Sequence, residues 1–179
     1  NFSWKVIFFL VFLTSFLSAH SEELRFEATS IELEDKDKII TAKQGVKILS
    51  GDEIIIDADN MRYNKEEKFQ QANGNITIRN KLENIEIKSD KITYDKNIEK
   101  IISSGNVEIK FNNNYTLATK EIIYLKNSGE ILINYVSKIT DNFENEIEIT
   151  QLNYTINNKL LKGKKVKLFD LEKNLYNFD

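Results

Sequence analysis

The chain has no cysteine and no proline, and only one histidine and one methionine in 179 residues. Without cysteine there is no disulfide, no thiolate zinc site and no ligand set for an iron–sulfur cluster. The single histidine, His20, falls in an N-terminal stretch read below as a removable leader. The remaining chain then lacks the base or ligand that Ser-His, Cys-His and zinc–water mechanisms require. The absence of proline suits an extended sheet, because no backbone donor is missing from a ladder. Together with the heavy use of Lys, Ile and Asn, it also reads as a compositional bias of the source. Nor is the charge one-sided. The net charge is −3, 30% of residues are charged, and both signs are interspersed without an arginine-rich stripe, so nucleic acid is not an expected partner.

The first residues do have a pattern. Lys5 precedes the apolar run Val6 to Leu17, and small residues follow around Ala19 and Ser21. This is the layout of a secretory signal, so residues 1–21 are expected to be an apolar signal helix cut after Ala19 or Ser21. The run is about a dozen residues, short for a membrane span. Counting Phe2 and Trp4, it lengthens enough to leave an uncleaved single-helix anchor as the rival.

From residue 22 to 179 the chain repeats itself. Leu33, Tyr63, Tyr94, Tyr124 and Tyr154 recur about every thirty residues, a period typical of stacked repeats. Two residues before each mark stands Ile31, Met61, Ile92, Ile122 or Leu152; five before, Ala28, Ala58, Ser89, Thr119 or Ile149; seven before, Phe26, Ile56, Ile87, Leu117 or Ile147. Steps of two place side chains on one face of a strand. The single step of three requires a bend or bulge that restores the facing. Beyond each mark a polar turn leads to a second apolar position, Val46, Ile76, Val107, Val136 or Val166. Gly45, Gly74, Gly105 and Gly163 lie just before four of these, where a tight turn or positive φ at strand entry is expected, and Tyr135 replaces glycine in the other. Each copy is thus two strands, and because one hairpin cannot close a core, the copies must stack. Leu171, Leu175 and Phe178 look like the start of one more strand.

No constellation with catalytic chemistry emerges. Glu146 with Glu148, and Asp57 with Asp59, alternate out of phase with the apolar set and read as a solvated face, not as a glycosidase pair. Asp52, Asp57 and Asp59 lack the nine-residue glycine-aspartate repeat of calcium-binding β-rolls and do not recur as a set in the other copies, so no calcium site is expected. The expectation is no enzyme, no cofactor and no metal. What remains is the apolar face itself. Two curved walls joined along one edge leave a trough suited to acyl chains, each buried CH₂ contributing about 0.8 kcal/mol. The candidate lipid-facing set is Ile56, Ala58, Met61 and Tyr63 from one copy and Ile87, Ile92 and Tyr94 from the next. Leu117, Ile122 and Tyr124 follow from the third, then Ile149, Leu152 and Tyr154 from the last.

The pattern apolar-x-Ala-Asp-x-apolar-x-Tyr followed by Gly-Asn-Val-x-Ile resembles the OstA-like repeat of the lipopolysaccharide-transport proteins. It is carried by Ile56 to Tyr63 with Gly74 to Ile78, and by Ile87 to Tyr94 with Gly105 to Ile109. It weakens at Asn134-Tyr135-Val136 and at both ends. The resemblance implies an all-β, open, bent β-jellyroll of about five two-strand repeats that holds the lipid A acyl chains of lipopolysaccharide. It also implies a periplasmic place associated with the outer membrane, and stacking on other jellyrolls of the family through edge strands. Within the family it points first to the N-terminal periplasmic domain of the outer-membrane assembly protein, in which case the chain is part of a longer one with a C-terminal barrel. The soluble periplasmic bridge protein is the next reading. Outside the family, the alternatives are a closed β-solenoid acting as scaffold or adhesin and, more remotely, a carbohydrate-active β-helix.

Overall fold

The computed structural model describes residues 24–50, 54–81, 84–111, 114–155, 157–158, 160–169, 172 and 174–178. The expected signal segment, Asp52 and Leu171 lie outside them. All fifteen strands among the described residues belong to one antiparallel sheet. Its body is six long strands in simple succession: β3 (Ile39–Ser50), β4 (Ile54–Asn64), β5 (Phe69–Asn80), β6 (Ile85–Asp95), β7 (Lys100–Phe111) and β8 (Tyr115–Leu125). Short strands extend it at both ends. Ahead of β3, β1 (Leu24–Glu27) and β2 (Ser30–Glu34) pair with its two halves separately.

Past β8 the sheet forks. One branch runs through β10 (Ser137–Asp141), β11 (Glu146–Ile149), β14 (Val166–Phe169) and β15 (Leu175–Phe178). The other runs through β9 (Glu130–Ile133), β12 (Gln151–Thr155) and β13 (Leu160–Lys164). The sheet therefore has two lobes, joined by continuous strands in the middle and separate at its ends.

The crease between the lobes lies where the sequence steps by three. Pairing slips between Lys43 and Val46 on β3, Asn73 and Ile76 on β5, and Ser104 and Val107 on β7, each against two positions on the following strand. The extra residue is thus on the glycine-bearing strand, and these slips align across the sheet as a row of bulges. Gly74 and Asn75 (φ +77 and +45) and Gly105 and Asn106 (φ +75 and +46) take the left-handed conformation that such a bulge demands. Positive φ at these glycines agrees with expectation, but their place does not: they sit mid-strand, because the chain is hydrogen-bonded on both sides of them. Gly163 is different again, lying inside β13 without positive φ.

The fourth copy departs further. With no glycine at Asn134-Tyr135-Val136, the strand breaks into β9 and β10, and Val136, expected inward, is 59% exposed. Ser137 takes its place beside Thr119, and the two hydroxyls bond at 2.8 Å. The opening copy also deviates, because Ile31 and Leu33 lie on an edge strand and are 55% and 58% exposed. Turns tie each copy to the next, with the amides of Lys65, Lys96 and Lys126 donating to the carbonyls of Lys38, Lys68 and Glu99 at 2.8–3.0 Å.

Candidate functional site

Cross-strand partners share a face of a sheet, so the register shows directly how the apolar positions line up. In the first lobe, Ile48, Ile56, Ile78, Ile87, Ile109, Leu117 and Ile139 form one continuous row. In the second lobe a row runs Ile31, Ala42, Met61, Ala72, Ile92, Ser103, Ile122. A parallel row runs Leu33, Ile40, Tyr63, Gln70, Tyr94, Ile101, Tyr124, Ile131, Tyr154. Along the crease, Val46 faces Ala58, Ile76 faces Ser89, Val107 faces Thr119 and Ser137 faces Ile149.

The structure thus places all thirteen sequence-derived candidates on one concave face, but not in one environment. Ile87, Leu117, Ile122, Tyr124, Ile149, Leu152 and Tyr154 are buried in a cluster that joins both lobes. Toward the start of the chain the packing thins to a small cluster of Ala42, Val46, Ile48 and Met61, flanked by half-buried Ile56 and Tyr63. Ala58 is buried at the crease, and Ile92 and Tyr94 are half-buried between the clusters. The face is closed at the C-terminal copies and most open beside β2.

Polar groups on this face are few and specific. Tyr94 donates its hydroxyl to Glu99 Oε2 at 2.7 Å, and Lys126 Nζ reaches the same carboxylate at 2.7 Å and the Tyr94 hydroxyl at 3.3 Å. The Lys126 ammonium also stands 5.5 Å from the Tyr94 ring centroid. The Lys126 and Tyr94 hydrogen bonds hold the Glu99 carboxyl below the usual glutamate range. Burial and the Glu99 hydrogen bond push the Tyr94 hydroxyl up. At Lys126, burial works against the charge, but the bonds to Glu99 and Tyr94 outweigh it and its pKa rises. Burial alone raises Tyr154, whose hydroxyl has no hydrogen-bond partner among the described residues.

This cluster escaped the sequence reading, although a signal was there. Lys65, Lys96 and Lys126 each stand two residues after a tyrosine mark, but only the copy before Lys126 supplies a glutamate, Glu99, to meet it. The outward carboxylates are paired in part: Asp57 with Arg79, Glu146 with Lys138 and Glu148 with Lys167. Among the described residues no group of three or more metal-ligating side chains occurs.

No family model matches the chain, and no curated protein does. Among solved structures it is similar in outline to LptH of Pseudomonas aeruginosa, described as the LptA-homologous periplasmic component of the conserved lipopolysaccharide transport device. The two are 12% identical, with a TM-score of 0.37 over 90% of this chain and 98% of that one. A superposition at that level assigns nothing to the present chain.

Proposed function

We propose that this chain is a non-enzymatic lipid conduit, holding the acyl chains of lipopolysaccharide on its concave face on the way to the outer membrane. The observation that carries the reading is the set of apolar rows, unbroken from Ile48 to Ile139 in the first lobe and interrupted only by Ser103 and Gln70 in the second, which cross from copy to copy and leave Ile56, Tyr63, Ile92 and Tyr94 half-buried. The repeat resemblance of Ile56–Tyr63 and Ile87–Tyr94 supports the same class of guest. Burying such chains against Ile, Leu and Tyr is favourable by about 25 cal/mol per Å² of apolar surface. The place is periplasmic, and the partners are other jellyrolls of the transport family, met at the edge strands. Within the family we favour the N-terminal domain of LptD, on the segment from Lys138 onward, with the soluble bridge protein LptA as the alternative. An open reading frame running several hundred codons past Asp179 into alternating strands selects LptD, and a nearby stop selects LptA.

A photocrosslinking residue at position 92 or 94 tests the conduit itself. Capture of lipopolysaccharide in cells is expected, and crosslinks to protein neighbours alone would count against it. One observation favours a second reading, a packed β-solenoid scaffold: Ile131, Ile133 and Tyr154 are fully buried between the lobes. That reading predicts no lipid retained in native mass spectrometry.

A further inference from the structure

Besides that of Tyr154, two hydroxyls on the concave face are buried without a partner among the described residues. Ser89 is 4% exposed, faces Ile76 across the crease row, and its Oγ has no hydrogen-bond partner among the described residues. Ser103 stands one strand away, between Ile92 and Ile122 in the adjoining row, and its buried Oγ is equally unpaired. The following copy shows what a satisfied arrangement looks like: Thr119, at the position of Ser89, meets the Ser137 hydroxyl at 2.8 Å. The preceding copy sets Ile76 opposite Ser89 instead, and an isoleucine cannot answer a hydroxyl.

A buried unpaired hydroxyl is costly and rare in a finished core. Alanine would remove that cost at either position. These hydroxyls also flank the crease, where the ladder is interrupted on successive strands. Parting of the lobes at that line would bring both hydroxyls to anything lying on the face.

We infer that Ser89 and Ser103 are specificity-determining residues that hydrogen-bond a polar group set within the acyl part of the guest, a chain hydroxyl or an ester carbonyl. This deepens the conduit reading and rests on it. A purely hydrocarbon chain leaves both hydroxyls unanswered, whereas an oxygenated chain satisfies at least one while the isoleucines cover the rest.

The test is displacement of a fluorescent fatty acid from the purified protein by hexadecanoate and by hydroxyhexadecanoates with the hydroxyl stepped along the chain. At least one isomer is expected to bind about threefold to tenfold more tightly than hexadecanoate, the effect of one net hydrogen bond. Ser89→Ala combined with Ser103→Ala should abolish that preference, keep the affinity for hexadecanoate, and leave the thermal midpoint equal or higher. Isomers that all bind like the parent overturn the inference, as does a preference that survives in the double variant. A lowered midpoint in the double variant also overturns it, since the hydroxyls would then serve the fold. Failure of hexadecanoate itself to bind is a distinct outcome that removes the conduit reading together with this one.

Discussion

Asn106 donates its side-chain amide to Asp90 Oδ2 at 2.8 Å, and one copy earlier Asn75 makes the same bond to Asp59 at 2.9 Å. In each case the aspartate lies against a left-handed glycine, in the space where a β-carbon would stand. A Cβ built on Gly74 would come 2.9 Å from Asp59 Cβ, and one on Gly105 would come 2.8 Å from Asp90 Cβ. Gly45 occupies the same bulge position at φ +73 with nothing within 4 Å. Gly45→Ala is therefore expected to cost about 1 kcal/mol, for backbone conformation alone. Gly74→Ala and Gly105→Ala should each cost roughly 2–4 kcal/mol, because the carboxylate must also move. Urea unfolding midpoints of the three variants would show that order, and equal losses would contradict it.

Ser137 and Thr119 bond to each other inside the crease row, where other copies place an apolar residue beside a small one. Ser137→Ala leaves the Thr119 hydroxyl buried alone and should destabilise by about 1–3 kcal/mol. Replacing both, as Thr119→Val with Ser137→Ala, restores an apolar residue beside a small one and should recover most of the loss. A double-mutant cycle by chemical denaturation measures the coupling.

Tyr154 and Tyr94 hold equivalent repeat positions with opposite hydrogen-bond status. Tyr154→Phe removes an unpaired buried hydroxyl, so stability should hold or rise by up to about 1 kcal/mol. Tyr94→Phe deletes the bond to Glu99 and should cost about 0.5–1.5 kcal/mol. The opposite order in thermal denaturation would refute the assignment of the two hydroxyls.

The same cluster sets a pH dependence with two limbs. Glu99 has a lowered pKa in the folded state, so its contribution is present above the ordinary glutamate range and is lost as pH falls through its folded value. Lys126 and Tyr94 are both raised, so theirs is present below their ordinary values and is lost as pH rises through the folded ones. Glu99→Gln should flatten the acid limb of a stability–pH profile relative to the parent and leave the neutral plateau lower.

The long strands were legible because alternation of Ile with charged residues, without proline, admits little else. The crease was legible too, since Ala58 and Met61, or Ser89 and Ile92, cannot share a face at a spacing of three without a bulge. What escaped was which strand carries the surplus residue. Apolar spacing locates a phase change on the tyrosine-bearing strand, while the left-handed glycine and asparagine that absorb it are on its neighbour. Val136 misled for a related reason. Sequence spacing counts residues, but the loss of glycine at position 135 broke the strand and moved the inward position one residue along, to Ser137. Ile31 and Leu33 carry the correct pattern but, among the described residues, border no strand on their far side, a fact that belongs to topology and not to composition.

The likeness of the middle hairpins, those marked by Tyr63, Tyr94 and Tyr124, has a mechanical corollary. Strands lie about 4.8 Å apart, so a body displaced along the concave face by one hairpin, about 10 Å, comes again upon a tyrosine, an isoleucine and a small crease residue in the same order. The corrugation repeats but its wells are unequal: the matching positions are half-buried at Tyr63 and Tyr94 and closed over at Tyr124 and Tyr154, so the space above the face narrows steadily toward the C-terminal copies.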